Sequence, residues 1–335
     1  MVNDMVWQDA AVGVLAKALT FPTVSSHMSR PETRAAFSEL LDFLEAAFPP
    51  LYAAAHVDRE DPWQLVLEVP GADPSLDPLL LLAHFDVVAV EAESIADWSH
   101  NPFGGEVDDG YLWGRGALDD KNVLIGILAA ANAVVAAGKR FRRGLVIACG
   151  GDEELAGRRG AGAIAARMRD EGRHFHFVLD EGAVVAEGML GEPSEPIALI
   201  GIAEKGHVNI RIRAEATGGH AAMPPARTAV GRLADGIRRV ERTPPRPRLT
   251  PGVRAFFEAL APHTAGPLRL VYGHPGLFWP LLSRVLAARP TTAALIRTTQ
   301  AVTMAEGSSA PNVLPERADA IVNCRILPGE RTEDV

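Results

Sequence analysis

The chain has 335 residues, 47% of them hydrophobic and 22% charged, with a formal net charge of −9. That is enough apolar material for one large domain or two ordinary ones, and the acidic balance argues against a nucleic-acid partner. Cys149 and Cys324 each lie in an apolar segment, so a disulfide framework is not expected and a reducing, cytoplasmic compartment fits. The N-terminus carries Asp4 and no basic region. Apolar runs stay far below the about 20 residues of a membrane span, so neither a signal peptide nor a membrane partner is expected.

Residues 6–20 repeat apolar side chains at three and four and predict a helix. Ser29-Arg30-Pro31-Glu32 reads as a capping box with proline in the first turn, opening a helix that Pro49-Pro50 ends near Phe48. Trp63 to Val69 alternates as a strand does. The run Leu79 to Val88, interrupted only by His84 and Asp86, predicts a central strand covered on both faces. Its polar residues fall at the carboxyl end, where open α/β sheets hold ligands, and period two puts them on one face.

A loop then leads to Gly114-Arg115-Gly116-Ala117-Leu118-Asp119-Asp120-Lys121, a tight turn feeding carboxylates into a helix over 122–137. Residues 144–149 predict a second buried strand running into Gly151-Asp152-Glu153-Glu154. A small-residue helix over 160–170 precedes a strand over 176–179, which ends in Asp180-Glu181-Gly182. Alternating strands and helices argue for α/β architecture with a mostly parallel sheet. After about Gly206 the texture changes. Residues 207–216 alternate as a half-exposed antiparallel strand, 217–220 form a turn and 226–240 an amphipathic helix. Residues 244–290 hold many prolines, which break regular structure, and read as irregular segments with short helices, and 318–327 is strand-like. The expected organisation is a first domain over 1–205 and a second, α+β domain over 206–335.

Four separate strand ends are thus expected to deliver His84 and Asp86, Asp119 and Asp120, Glu153 and Glu154, and Asp180 and Glu181. Carboxylates gathered at one sheet edge repel each other unless cations compensate them. A mixed histidine and carboxylate set suits zinc, with manganese or cobalt as alternatives. There are too many carboxylates for one tetrahedral zinc, which points to two metals sharing a bridging carboxylate. The adjacent Glu153-Glu154 pair allows one carboxylate to bind metal while its neighbour accepts a proton from water. A dinucleotide site is disfavoured, because Gly114-x-Gly116 lacks the third glycine and precedes two negative charges.

These residues resemble a known family, the co-catalytic zinc peptidases that include carboxypeptidase S, glycine-X carboxypeptidase, aminoacylase, carnosinase and succinyl-diaminopimelate desuccinylase. The matching motifs are Ala83-His84-Phe85-Asp86-Val87-Val88, Trp98 to Phe103, Gly114 to Lys121, Gly151 to Glu154, Leu179 to Gly182, Gly218-Gly219-His220-Ala221-Ala222, Asn312-Val313-Leu314-Pro315 and Asn323 to Gly329. Asp180-Glu181-Gly182 and Ala203-Glu204-Lys205-Gly206 resemble the carboxypeptidase S branch most.

The resemblance implies that residues 1–205 are a zinc-peptidase catalytic domain and 206–335 its inserted lid, which makes a homodimer. It implies that His84 binds one zinc and Asp86 orients its imidazole. Asp119 bridges both metals, with Asp120 behind it across a cis peptide. Glu153 is the general base and acid, and Glu154 binds the second zinc. Asp180 or Glu181 completes the first. His220 stabilises the oxyanion, and Arg325 and Asn312 hold the substrate carboxylate and carbonyl. The implied reaction is hydrolysis of a dipeptide or N-acyl amino acid to release its C-terminal amino acid, by a metal-bridging water that Glu153 activates. The family also takes a histidine ligand from a later return of the chain to the catalytic domain. The sequence is expected to stop short of that return, so the alternative is an inactive truncated fragment that only dimerises or binds metal.

Overall fold

The computed structural model describes residues 6–59, 62–182, 185–186 and 196–335. They form two compact units, Met1–Glu181 and Gly182–Val335. The first holds α1 (Val6–Leu19), α2 (Pro31–Ala47), α3 (Pro49–Ala54), β1 (His56–Asp58), β2 (Gln64–Val69), β3 (Leu79–His84), β4 (Glu106–Asp108), β5 (Tyr111–Trp113), α4 (Lys121–Ala136), β6 (Leu145–Gly150), α5 (Ala161–Asp170) and β7 (Phe177–Leu179).

Its sheet has the order β1-β2-β6-β3-β7. β3 is parallel to both β6 and β7, while β2 is antiparallel to β6 and β1 to β2. Only β2 therefore runs against the rest, and the ends of β6, β3 and β7 open on one edge. One face is covered by α2, α3 and α4. Phe37, Leu40, Leu44 and Leu51 meet Leu65, Leu67, Ile147, Leu124 and Leu128 there, all buried. The other face packs Val66, Leu80, Val146 and Ala148 against Ile164 and Met168 of α5. The apolar run of β6 is buried at every residue, as a strand covered on both sides must be. β7 is one of the sheet's two edge strands, and Phe177, Val178 and Leu179 are all exposed.

Three local expectations are corrected. The N-cap of α2 is Arg30, without a side-chain cap bond, and Ser29 does not form the capping box; Pro31 at the first helical position starts the helix instead. Pro49 and Pro50 end α2 but open α3, because proline's missing N–H costs nothing in a first turn. The strand expected to Val88 stops at His84, and beyond it the chain pairs with the α1–α2 connection, Val87 N donating to Thr23 O at 2.9 Å.

The second unit holds β8 (Val185–Ala186), β9 (Ile197–Ala198), β10 (Gly206–Glu215), β11 (Gly219–His220), α6 (Ala229–Arg242), α7 (Pro251–Leu260), α8 (Gly266–Gly273), α9 (Trp279–Ala287), α10 (Pro290–Ile296), β12 (Thr299–Glu306), β13 (Val313–Leu314) and β14 (Arg317–Ile326). β10, β14 and β12 make an antiparallel sheet in which Gly206 faces Ile326 and Glu215 faces Arg317. Ala229 and Leu233 of α6 pack on Ala318 and Ala320 of this sheet. The proline-rich stretch is more regular than its composition suggests. Prolines stand in the first turns of α7, α8, α9 and α10, and these helices bury Phe257, Leu260, Tyr272, Leu282, Leu286 and Ile296 together. Among the described residues no helix is long and apolar enough to cross a membrane.

Candidate active site

The site is built at the open edge of the first unit's sheet. His84 closes β3, Glu153 and Glu154 follow β6, Asp180 and Glu181 follow β7, and Asp119 and Asp120 lie in the loop before α4. Asp86, two residues beyond β3, is fully buried. Its Oδ1 accepts from Glu153 N at 3.0 Å and its Oδ2 from Glu154 N at 3.2 Å. His84 Nδ1 lies 3.2 Å from Asp86 Oδ1 and 3.1 Å from the Asp86 carbonyl. A proton on Nδ1 satisfies both oxygens, and Nε2 is the ring nitrogen turned outward. That nitrogen meets Asp119 Oδ1 at 2.8 Å and Glu181 Oε1 at 3.4 Å.

The Asp119–Asp120 peptide is cis. The Asp120 side chain is fully buried, with Oδ2 accepting from His84 N at 3.0 Å; the Asp119 side chain is 68% exposed. The loop needs its glycine. Gly116 has φ +88°, and a Cβ there would stand 2.9 Å from Val87 Cγ1 and 3.3 Å from Lys121 Cδ. Asp180 does not turn to the imidazole: its Oδ1 accepts from Glu181 N at 2.9 Å, and Glu181 is the neighbour that reaches His84.

Electrostatics separate these groups. Burial disfavours a charged imidazole, but the bonds and charges of Asp86, with Asp119 and Glu181, outweigh it and push the His84 pKa up to about 10. Burial pushes Asp120 up to about 8, aided by the charges of Glu181 and Asp119 and opposed by the bond from His84 N. Glu153, Glu154 and Glu181 are raised by burial first and then by the carboxylates around them.

The donor set fits a cation. Ligand atoms of His84, Asp120 and Glu181 all lie within 4.8 Å of one another. Asp120 Oδ1 is buried with no hydrogen-bond partner. The ion pairs of these carboxylates among the described residues run only to His84. The nearest cation in sequence, Lys121, instead donates to the carbonyls of Ala18 and Phe21. Crowded, mutually repelling oxygens with an orphaned acceptor are what a divalent cation relieves.

His84, Asp86, Asp119, Glu153, Glu154 and Glu181 are therefore gathered in one place. His220, Asn312 and Arg325 belong to the second unit. There His220 pairs with Val313, and Ala221 N donates to Asn312 O at 3.0 Å, so two of the three are neighbours. The His220 ring accepts from Ala222 N at 3.1 Å and is exposed. Arg325 is exposed on β14 opposite His207. Sequence reasoning gave no role to Asp152, which is buried and accepts from Arg159 N and Gly160 N. It also gave none to Lys121, fully buried at the start of α4. A lysine opening an apolar helix directly after two aspartates was the visible signal.

A histidine and carboxylates at the ends of parallel strands and in the loop before α4 make a centre suited to cations. The chain belongs to peptidase family M20/M25/M40, whose family model matches residues 80–276. It is 36% identical over 332 residues to the N-fatty-acyl-amino acid synthase/hydrolase PM20D1 of Xenopus tropicalis, covering 97% of this chain and 63% of that protein. It is 36% identical over 329 residues to the probable carboxypeptidase S-like 2 of Dictyostelium discoideum, covering 96% and 62%. The chain thus spans a little under two thirds of the length of these relatives. Its fold is similar to that of an M20 family metallo-carboxypeptidase from Sulfolobus solfataricus, with a TM-score of 0.61, 16% identity and coverage of 97% and 72%.

Proposed function

We propose that this chain carries the catalytic residues of a metal-dependent hydrolase that cleaves the amide bond of a dipeptide or an N-acyl amino acid and releases a C-terminal amino acid. The observation that carries the reading is His84 Nε2 meeting the carboxylates of Asp119 at 2.8 Å and Glu181 at 3.4 Å, with Glu153 and Glu154 near enough for the charges of Asp119 and His84 to act on them. His84, Asp119 and Glu181 would hold one cation, and Asp119 and Glu154 a second, with zinc first among the metals considered. Bound there, the cations would supply Lewis acidity, polarising the scissile carbonyl and making a water acidic enough to ionise near neutral pH.

The chain's own groups do the rest. Asp86 holds His84 in one tautomer and anchors the main chain of Glu153 and Glu154, so base and ligand are placed by one carboxylate. Glu153 accepts the proton of the attacking water and returns it to the departing nitrogen. Its raised pKa makes it a better base than an ordinary glutamate. Arg325 is assigned to the substrate carboxylate, which a guanidinium binds bidentately, Asn312 to the substrate carbonyl and His220 to the developing oxyanion. A homodimer made through the second unit belongs to the same proposal.

The test is metal content and hydrolysis by the full-length protein that contains this chain, on a panel of dipeptides and N-acyl amino acids. The expected result is two zinc ions per chain and turnover that a chelator abolishes. Fewer than about one zinc per chain after gentle purification would overturn the two-cation mechanism. A folded, metal-indifferent dimer without hydrolysis would favour a purely associative role.

A further inference from the structure

Lys121 follows the two aspartates directly, and it is fully buried. Its Nζ donates to Ala18 O at 3.0 Å and Phe21 O at 2.7 Å, a hundred residues back, at and just beyond the end of α1. Its main-chain N–H donates to Gly116 O at 3.1 Å, and its stem lies over Gly116, where a Cβ would stand 3.3 Å from Lys121 Cδ. The residue is therefore held at both ends, by the loop that carries Asp119 and Asp120 and by the chain after α1.

That same stretch is fastened to the other half of the centre. Thr23 Oγ1 donates to Phe85 O at 2.5 Å, and Val87 N donates to Thr23 O at 2.9 Å. Residues 85–87 contain Asp86 and follow His84. Residues 18–24 thus form a strut with the histidine-bearing segment on one side and the aspartate-bearing loop on the other, and Lys121 is the side chain that joins strut to loop. A buried lysine that makes no ion pair among the described residues, and spends its donors on two carbonyls, has a positional use. Main-chain carbonyls at a helix end need such donors, and amino groups near a helix C-terminus suit them.

We propose that Lys121 is a positioning residue for the cation centre, setting the spacing between the Asp119–Asp120 loop and His84 without touching the cations. The inference rests on the metal reading above and adds to it a determinant of affinity outside the ligand set. Outer partners of metal ligands are worth roughly 10–100-fold in affinity, and that is the loss expected for Lys121→Met, which keeps the stem and removes the donors.

The experiment measures cobalt(II) affinity of the whole protein that carries this chain by chelator competition, together with the visible spectrum of bound cobalt. The temperature is one at which circular dichroism shows every variant folded. Leu51→Ala, a fully buried core residue in α3, is the control for lost stability. The expected result is a 10–100-fold weaker affinity and an altered cobalt spectrum for Lys121→Met, with Leu51→Ala less stable but unchanged in both. If Lys121→Met is recovered unfolded, Lys121→Gln, a shorter donor, takes its place with the same two outcomes. Equal affinity in parent and Lys121 variant, or an equal loss in Leu51→Ala, overturns the positioning role. No cobalt binding by the parent overturns the metal reading and this inference together, so the two failures are told apart.

Discussion

Asp86 gives the sharpest test of how the centre is assembled. Its carboxylate is fully buried and accepts the N–H groups of Glu153 and Glu154 at 3.0 and 3.2 Å. A hydrogen bond to a charged group contributes about 1.5–3 kcal/mol, so two give about 3–6 kcal/mol. The third contact, from His84 Nδ1 at 3.2 Å, adds to the loss, because against the effect of burial the bond and charge of Asp86 are what chiefly raise the His84 pKa, while the Asp86 carbonyl at 3.1 Å still accepts part of it. Two effects oppose the loss. Both N–H groups are only part-buried, so water replaces some of the bonding. Removing one negative charge also relieves Glu153 and Glu154, whose pKa values Asp86 helps to raise. Asp86→Ala is therefore expected to lose about 3 kcal/mol, the lower end of the range, and Asp86→Asn, which keeps one acceptor, about half of that. Urea denaturation of the metal-free chain followed by tryptophan fluorescence reads this, since four of the five tryptophans (Trp7, Trp63, Trp98, Trp113) fall within Met1–Glu181. An Asp86→Ala midpoint corresponding to less than about 0.5 kcal/mol would refute the view that this carboxylate organises the Glu153–Glu154 turn.

Three further outcomes are expected. Glu153→Gln should keep metal content, measured by elemental analysis, while turnover falls by at least about 100-fold, the usual contribution of a general base; a variant retaining most of its rate removes Glu153 from the mechanism. Gly105 has φ +60°, and a Cβ there would lie 1.9 Å from Ala16 O, so Gly105→Ala should cost more than about 2 kcal/mol in the same denaturation assay. Arg173 bonds Glu68 through both terminal nitrogens, at 2.5 and 3.0 Å, across a partly exposed surface, so Arg173→Lys should cost less than about 1 kcal/mol; a larger loss would show that the fork carries more than surface pairing.

Much of the first unit was legible. The apolar runs expected as strands over 79–88 and 144–149 are β3 and β6, the first ending at His84, because a strand covered on both faces cannot hide its composition. The carboxylates emerged at their ends as the α/β rule requires. The neighbours Asp180 and Glu181 could not be separated in sequence, since a bend of one residue decides which turns to His84. In the structure Asp180 folds back on the Glu181 amide and Glu181 reaches the imidazole. Lys121 stands out in sequence by its place after two aspartates, but its partners do not, because they are main-chain carbonyls about a hundred positions away that no side-chain pattern marks. In the second unit, prolines counted as breakers turned out to open helices, and β12 was invisible because Thr299–Glu306 is mostly exposed and does not alternate cleanly.

The pairing of β10 with β14 has a kinetic meaning. Gly206 to Glu215 meet Ile326 to Arg317, so the ladder closes a loop of about a hundred residues. Closure on that scale costs about 2 kcal/mol more than closing a ten-residue hairpin, by the logarithmic dependence on length. Helices α7 to α10 pack on one another and can form while the chain is still being made; the sheet, and the seat of α6 on Ala318 and Ala320, cannot. Until β14 is available, β10 presents an unpaired edge, and the second unit's order of assembly is set by the last strand to arrive.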